Sequence, residues 1–289
     1  MLALSAEGIL PKVDYAIFAD TGWEPKSVYA HLNRLEREIA EPAGIPVLRV
    51  SSGNIRADAL DPDRRFASMP LHILNKGGET GMTRRQCTGE YKVKSIKKKI
   101  RELLGFPYPS RIPRGMFVEQ WVGISTDEFH RAKDSDVKYM RNRHPLIEMG
   151  WSRSDCVRYL TSLGLADTPR SSCLGCPSRG NAQWRHIRNT SPSEWADVVE
   201  FDAAIRKGNA RAAAGNRLLG EAFLHRSRVP LGEAPIDHVT AAERAAQQQE
   251  LGTGEEDAEE LEQGVLDGCS PWACRGEAEP VQDDFGLAS

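Results

Sequence analysis

The sequence has no run of about 18 apolar residues, so no membrane-spanning helix is predicted. Met1 to Pro11 lack a basic stretch, and no secretory signal is predicted either. Cysteine is scarce: six residues in 289 do not make a disulfide framework. The cytoplasm is the expected compartment, where closely spaced cysteines point to metal or redox chemistry. Neither apolar nor charged residues are depleted, at 40% and 27%, which excludes global disorder and leaves enough for a sizeable core. Basic residues all but vanish at one end. Residues 243–289 hold 13 Asp and Glu against Arg244 and Arg275, while residues 1–242 carry a net charge of +8. A basic body with an acidic tail suits an anionic substrate, either a nucleotide or a nucleic acid. The competing reading is an ordinary solvated surface.

Several stretches have regular patterns. Val13–Asp20 reads as a short buried strand, and Ile45–Val50 as a second. Between them Val28, Leu32, Leu35 and Ile39 recur at helical spacing after Pro25. Strand, helix, strand argues for an α/β fold with a parallel sheet and crossover helices. Gly77, Gly78 and Gly81 mark a loop, and Asn54 is a candidate helix cap. Glu90–Leu104 reads as a helix stopped by Gly105 and Pro107. Phe117–Ile124 is a third strand, followed by a short helix from Thr126. Ser152 and Asp155 open a helix that Gly164 stops. Ser191, Pro192 and Glu194 form a capping-box signature for a helix through Ile205. From about Gly252 the acidic tail is expected to be disordered.

Four groups of residues carry candidate chemistry. Asp20, Thr21 and Gly22 follow the first strand, where open parallel sheets bind ligands. There they suit a nucleotide, or else a plain turn. Residues 84–101 contain eight Lys and Arg against Glu90. Arg84, Arg85, Cys87, Thr88 and Lys92 gather near a helix amino end, which favours an anion or a thiolate. Lys97 to Arg101 read better as a solvated helix face. Gly123, Asp127, Glu128 and Arg131 follow the third strand, with Arg131 a candidate for a bound anion and the two acids equally suited to the helix dipole. Finally, Cys173-Leu174-Gly175-Cys176-Pro177 has the spacing of a metal knuckle or a redox pair. Cys87 is the best third ligand, and no fourth is obvious, although His186 is a candidate. Cys156 reads as a core residue. Cys269 and Cys274 have no familiar metal spacing.

In this order these pieces resemble the phosphoadenylyl-sulfate (PAPS) reductase family of the adenine nucleotide α-hydrolase, or PP-loop, superfamily. The matching stretches are Phe18 to Gly22, Cys87-Thr88 with Lys92, and Gly123-Ile124 with Asp127, Glu128 and Arg131. His144 to Ile147 with Asp155, Tyr159 and Leu160 follow, and then Cys173 to Pro177. The resemblance covers about residues 1–230, which it implies form one Rossmann-like nucleotide-binding domain, with a helical extension over 231–251 and the tail over 252–289. It implies an enzyme that binds an adenine nucleotide, ATP or PAPS, and reduces activated sulfate, forms an adenylate or transfers sulfur. A nucleic acid is one implied sulfur acceptor. Asp20, Thr21, Gly22, Arg84, Arg85, Thr88, Lys92, Gly123, Asp127, Glu128 and Arg131 would line the nucleotide site. Cys87, Cys173 and Cys176 would hold an iron–sulfur cluster or zinc. Two family features are missing from the chain: the Ser-Gly-Gly phosphate loop and a Cys-Gly-x-His near the C-terminus. Residues 1–7 look like the helix that normally follows that loop, so the loop and its strand are expected upstream of Met1.

Overall fold

The computed structural model describes residues 1–64, 68–209, 218, 220–241 and 243–244. The chain divides into two compact units. The first comprises Met1–Arg56 and Glu90–Leu174; the second, in its described part, comprises residues 57–89 and those from Gly175 onward. The expected disordered tail, 252–289, lies outside the described residues, as do Cys269 and Cys274.

The first unit is built on two parallel strand pairs. β1 (Ala16–Asp20) pairs with β2 (Val47–Ser51), in register from Ala16 opposite Val47 to Asp20 opposite Ser51. β5 (Val118–Trp121) pairs with β6 (Met140–Arg143). The expected parallel pairing is present, in two separate two-stranded pieces. Each connection carries a helix, because parallel strands need a crossover to return to the same end. α2 (Lys26–Leu35) continues into a π-helical turn at Glu36–Ala40 and links β1 to β2. α4 (Lys94–Leu103) covers both pairs with one face. Its Ile96 and Ile100 join Met140 in a buried cluster that also gathers Ile17 and Ala19 of β1, Val50 of β2 and Val118 of β5. A second cluster is centred on Leu4, Leu10 and Leu146. It seats α1 (Leu2–Ala6) and α5 (Pro145–Glu148) against α6 (Arg153–Ser162).

The strands are shorter than their apolar runs. Val13 to Tyr15 stay outside β1 because the Val13 amide donates to Ser5 Oγ, whose hydroxyl donates to the Pro11 carbonyl. That ties the entering chain to α1. Beyond β5, Val122 still donates to the Arg143 carbonyl before Gly123 leaves the sheet.

The second unit holds an antiparallel sheet in the order β4-β3-β7, formed by β3 (His72–Asn75), β4 (Thr80–Met82) and β7 (Gly220–Phe223). Gly77 and Gly78 make the hairpin turn, as the loop signal implied. Gly81, expected in that loop, belongs to β4 instead, opposite Ile73. Gly220 faces Asn75 so closely that a Cβ there would lie 2.2 Å from the Leu74 carbonyl oxygen. α7 (Asn181–Thr190) runs directly into α8 (Pro192–Ala204). The expected capping box at Ser191 does not form. Ser191 also closes α7, its amide donating to the Ile187 carbonyl, and its side chain makes no cap bond to α8. α8 instead anchors the unit through buried Asp202. One carboxylate oxygen accepts from the Leu224 amide at 2.7 Å; the other accepts from the Leu231 amide at 3.0 Å and pairs with Arg206.

α3 (Ile55–Leu60) and a π-helical turn at Thr88–Val93 carry the chain across the unit boundaries. Among the described residues no helix is long and apolar enough to cross a membrane.

Candidate functional site

The turn after β1 is a dense polar cluster. Asp20 Oδ1 accepts from the Gly22 amide at 2.7 Å and from the Tyr29 hydroxyl at 2.8 Å. Burial and the hydrogen bond to the Asp20 carboxylate push the Tyr29 phenol up to about 12, so it stays protonated and donating. Thr21 is buried, and its hydroxyl donates to Glu24 Oε1 at 2.9 Å. Lys92, arriving from the π-helical turn, sets its ammonium 3.9 Å from the same Glu24 oxygen, with both side chains buried. A buried ion pair holds only when further hydrogen bonds satisfy its members, and Thr21 supplies one.

Gly22 has a φ of +73°, a backbone region that suits glycine. The space a Cβ would fill is taken by Asn54, whose Cα would lie 2.9 Å away. Glycine here serves the packing of two chain segments. Asn54 ties them: its Nδ2 donates to the Gly22 carbonyl at 2.8 Å, and its Oδ1 accepts from the Arg56 amide at 3.0 Å, capping α3 as the sequence suggested. The Arg56 guanidinium lies 6.0 Å from the centre of the Trp23 ring. The Leu174 amide donates to the Trp23 carbonyl at 2.7 Å, which brings the Cys173-Leu174 half of the knuckle against this turn.

The turn after β5 is the second cluster. Asp127 Oδ2 accepts from Ser125 Oγ at 3.2 Å and from the Arg153 amide at 2.6 Å, so this carboxylate stabilises the start of α6. Arg131 pairs with Glu128 on the same 3₁₀ turn, Thr126–Arg131. Gly123 is exposed, and a Cβ there would lie 3.3 Å from the methyl carbon of Met1.

The expected residues therefore fall into groups. Asp20, Thr21, Gly22 and Lys92 meet in one cluster. Gly123, Asp127, Glu128 and Arg131 follow the neighbouring parallel pair. Both groups lie at carboxyl ends of strands. Arg84, Arg85, Cys87 and Thr88 belong to the second unit; Arg84 is exposed, Arg85 and Cys87 half-buried and Thr88 buried. Cys173 is in the first unit and Cys176 in the second, and both are buried. His186 is exposed on α7. Among the described residues no three His, Cys, Asp or Glu side chains are gathered for one metal ion.

Sequence reasoning did not anticipate Tyr29 as a partner of Asp20, nor Glu24 as the partner of Lys92. Lys92 falls 68 positions after Glu24, so no local pattern links them. Tyr29 lies nine residues after Asp20, across a strand-to-helix turn whose geometry the sequence does not specify.

No family model, curated protein or solved structure matches the chain.

Proposed function

We propose that the chain is a PAPS reductase-like enzyme acting on an adenine nucleotide in sulfur transfer or adenylate chemistry, with a Rossmann-like sheet as its scaffold. The observation that carries this reading is the position of Asp20-Thr21-Gly22 and of Gly123–Arg131. Both groups follow carboxyl ends of parallel strands that share α4, where open α/β sheets bind ligands. In this reading Asp20 and Tyr29 form a hydrogen-bonding edge for the nucleotide. Lys92 is the cation available to a phosphate or sulfate once Glu24 yields it. Cys87, Cys173 and Cys176 remain the proposed thiolates for a cluster or zinc, which would supply electron transfer or sulfur binding.

The experiment incubates the full chain with ATP, and separately with PAPS and a thiol reductant. Pyrophosphate release from ATP supports adenylation, and sulfite release from PAPS supports the reductase itself. Neither product, from protein that unfolds cooperatively on heating, overturns the reading.

A further inference from the structure

The segment between α4 and β5 is unusual for a connecting loop. Residues 105–117 contain no acid, two arginines and several large apolar side chains turned outward. Tyr108 is 87% exposed, and Met116 and Phe117 are each 39% exposed. Solvating a ring to that degree gains nothing for the fold.

The loop is held in place. The Ser110 carbonyl accepts from the Arg101 guanidinium on α4, and Met116 donates to the Pro113 carbonyl. At the far end the Val118 amide donates to the Tyr139 carbonyl at 3.0 Å. The Arg141 guanidinium lies 3.5 Å from the centre of the Phe117 ring, a stacked cation–π contact. Arg111, Arg114 and Arg141 are all exposed. Of the acids on the flanking segments, Glu102 pairs with Lys99, Asp136 with Lys97 and Glu119 with Arg143, and exposed Asp134 lies between exposed Lys133 and Lys138 in the sequence. The surface is thus cationic and aromatic at once.

We propose that Tyr108, Met116 and Phe117, with Arg111, Arg114 and Arg141, form a docking platform for single-stranded nucleic acid. Exposed rings offer faces on which unpaired bases stack, and the interleaved guanidiniums meet the phosphates. A duplex hides its base faces and would leave Tyr108 unused. Two arginines in a stretch without a single acid, residues 105–117, favour a polyanion over a protein partner. Phe117 and Tyr139 precede β5 and β6, so the platform lies at the amino end of this pair, opposite Gly123 and Arg131. Its occupant is not the nucleotide of the proposed reaction, and the inference stands or falls independently of that reaction.

The test is fluorescence anisotropy of the full chain with labelled oligothymidylate and oligouridylate of about 16 nucleotides. Tyr108→Ala should weaken binding about tenfold, in keeping with the loss of one stacked base. Arg111→Ala with Arg114→Ala should reduce the salt slope by about 1.4 between ~50 and ~200 mM, two phosphate contacts at ~0.7 each. Lys94→Ala with Lys98→Ala, exposed on α4, serves as the charge control and should leave the Tyr108 effect intact. Unaltered thermal unfolding checks that each variant is folded. The proposal is overturned by any of four results: no binding at ~50 mM salt, no effect of Tyr108→Ala, duplex bound as tightly as single strand, or polyglutamate displacing the oligonucleotide at equal charge.

Discussion

A buried ion pair and a buried histidine carry the residue-scale predictions. Lys92 and Glu24 share a site from which both side chains are nearly excluded from water. Breaking a buried pair by removing one partner costs about 3–5 kcal/mol, whereas replacing both is often close to neutral. Lys92→Met should therefore lower stability by about 3 kcal/mol in urea unfolding, and adding Glu24→Gln should restore most of it. An unchanged single variant would mean that the pair is solvated. His225, 2% exposed, is the second group. The Ser227 amide donates to its Nδ1, so its Nε2 carries the proton and faces Asn181 Oδ1. Asn181 Nδ2 in turn donates to the carbonyls of Pro235 and His238. Burial, and after it Arg226 and His72, push the imidazole down to about 4 from an ordinary 6.5, against a smaller opposing pull from Asp202. The unfolded chain takes up this proton first as pH falls. The stabilisation is thus present above pH 6.5 and lost as pH falls towards 4. His225→Gln should flatten the pH dependence of the unfolding midpoint in that window; a parallel curve would assign it to other groups.

At the scale of elements, the two serine caps read from the sequence make a contrast. At α6 the capping box is complete: Ser152 Oγ accepts from the Asp155 amide at 3.2 Å, and Asp155 accepts from the Ser152 amide at 2.8 Å. At α8 the same signature is idle, because Ser191 terminates α7 as well. Ser152→Ala should cost about 1 kcal/mol in chemical denaturation, and Ser191→Ala a few tenths at most. Equal losses would show that the cap at α6 adds nothing beyond propensity. The same contrast explains α4. Its lysines outnumber its apolar residues, yet Ile96 and Ile100, four apart, suffice to seat it on both parallel pairs, with Lys94 and Lys98 exposed.

For the molecule as a whole, the chain path matters most. It leaves the first unit at Arg56, returns at Glu90 and leaves again after Leu174. The proposed cysteine set is therefore drawn from three separate stretches. Anaerobically purified protein assayed for iron, sulfide and zinc should contain metal, and Cys176→Ser should lose most of it. Cys156→Ser should keep it. Cys156 packs beside Leu4, Leu10 and Leu146, and burial pushes its thiol up, away from the thiolate a metal needs. Metal-free wild type would reduce the C-x-x-C to a redox pair or an inert knuckle.

The sequence by itself determined the elements whose signals are local. These include the β1–α2–β2 crossover, the α6 cap at Ser152 with Gly164 behind it, Asn54 before α3, and the stop at Gly105. Apolar period, cap residues and left-handed glycines act within a few residues, so they are legible without a fold. Only the tertiary structure decided what each side chain does once placed. It set Lys92 against Glu24, gave Gly22 to Asn54, turned Arg131 onto Glu128 and added β7 to the β3–β4 hairpin from more than a hundred residues away. These contacts depend on which surfaces are brought together, and burial then fixes which charges must be neutralised by a neighbour. No spacing rule within the chain carries that information.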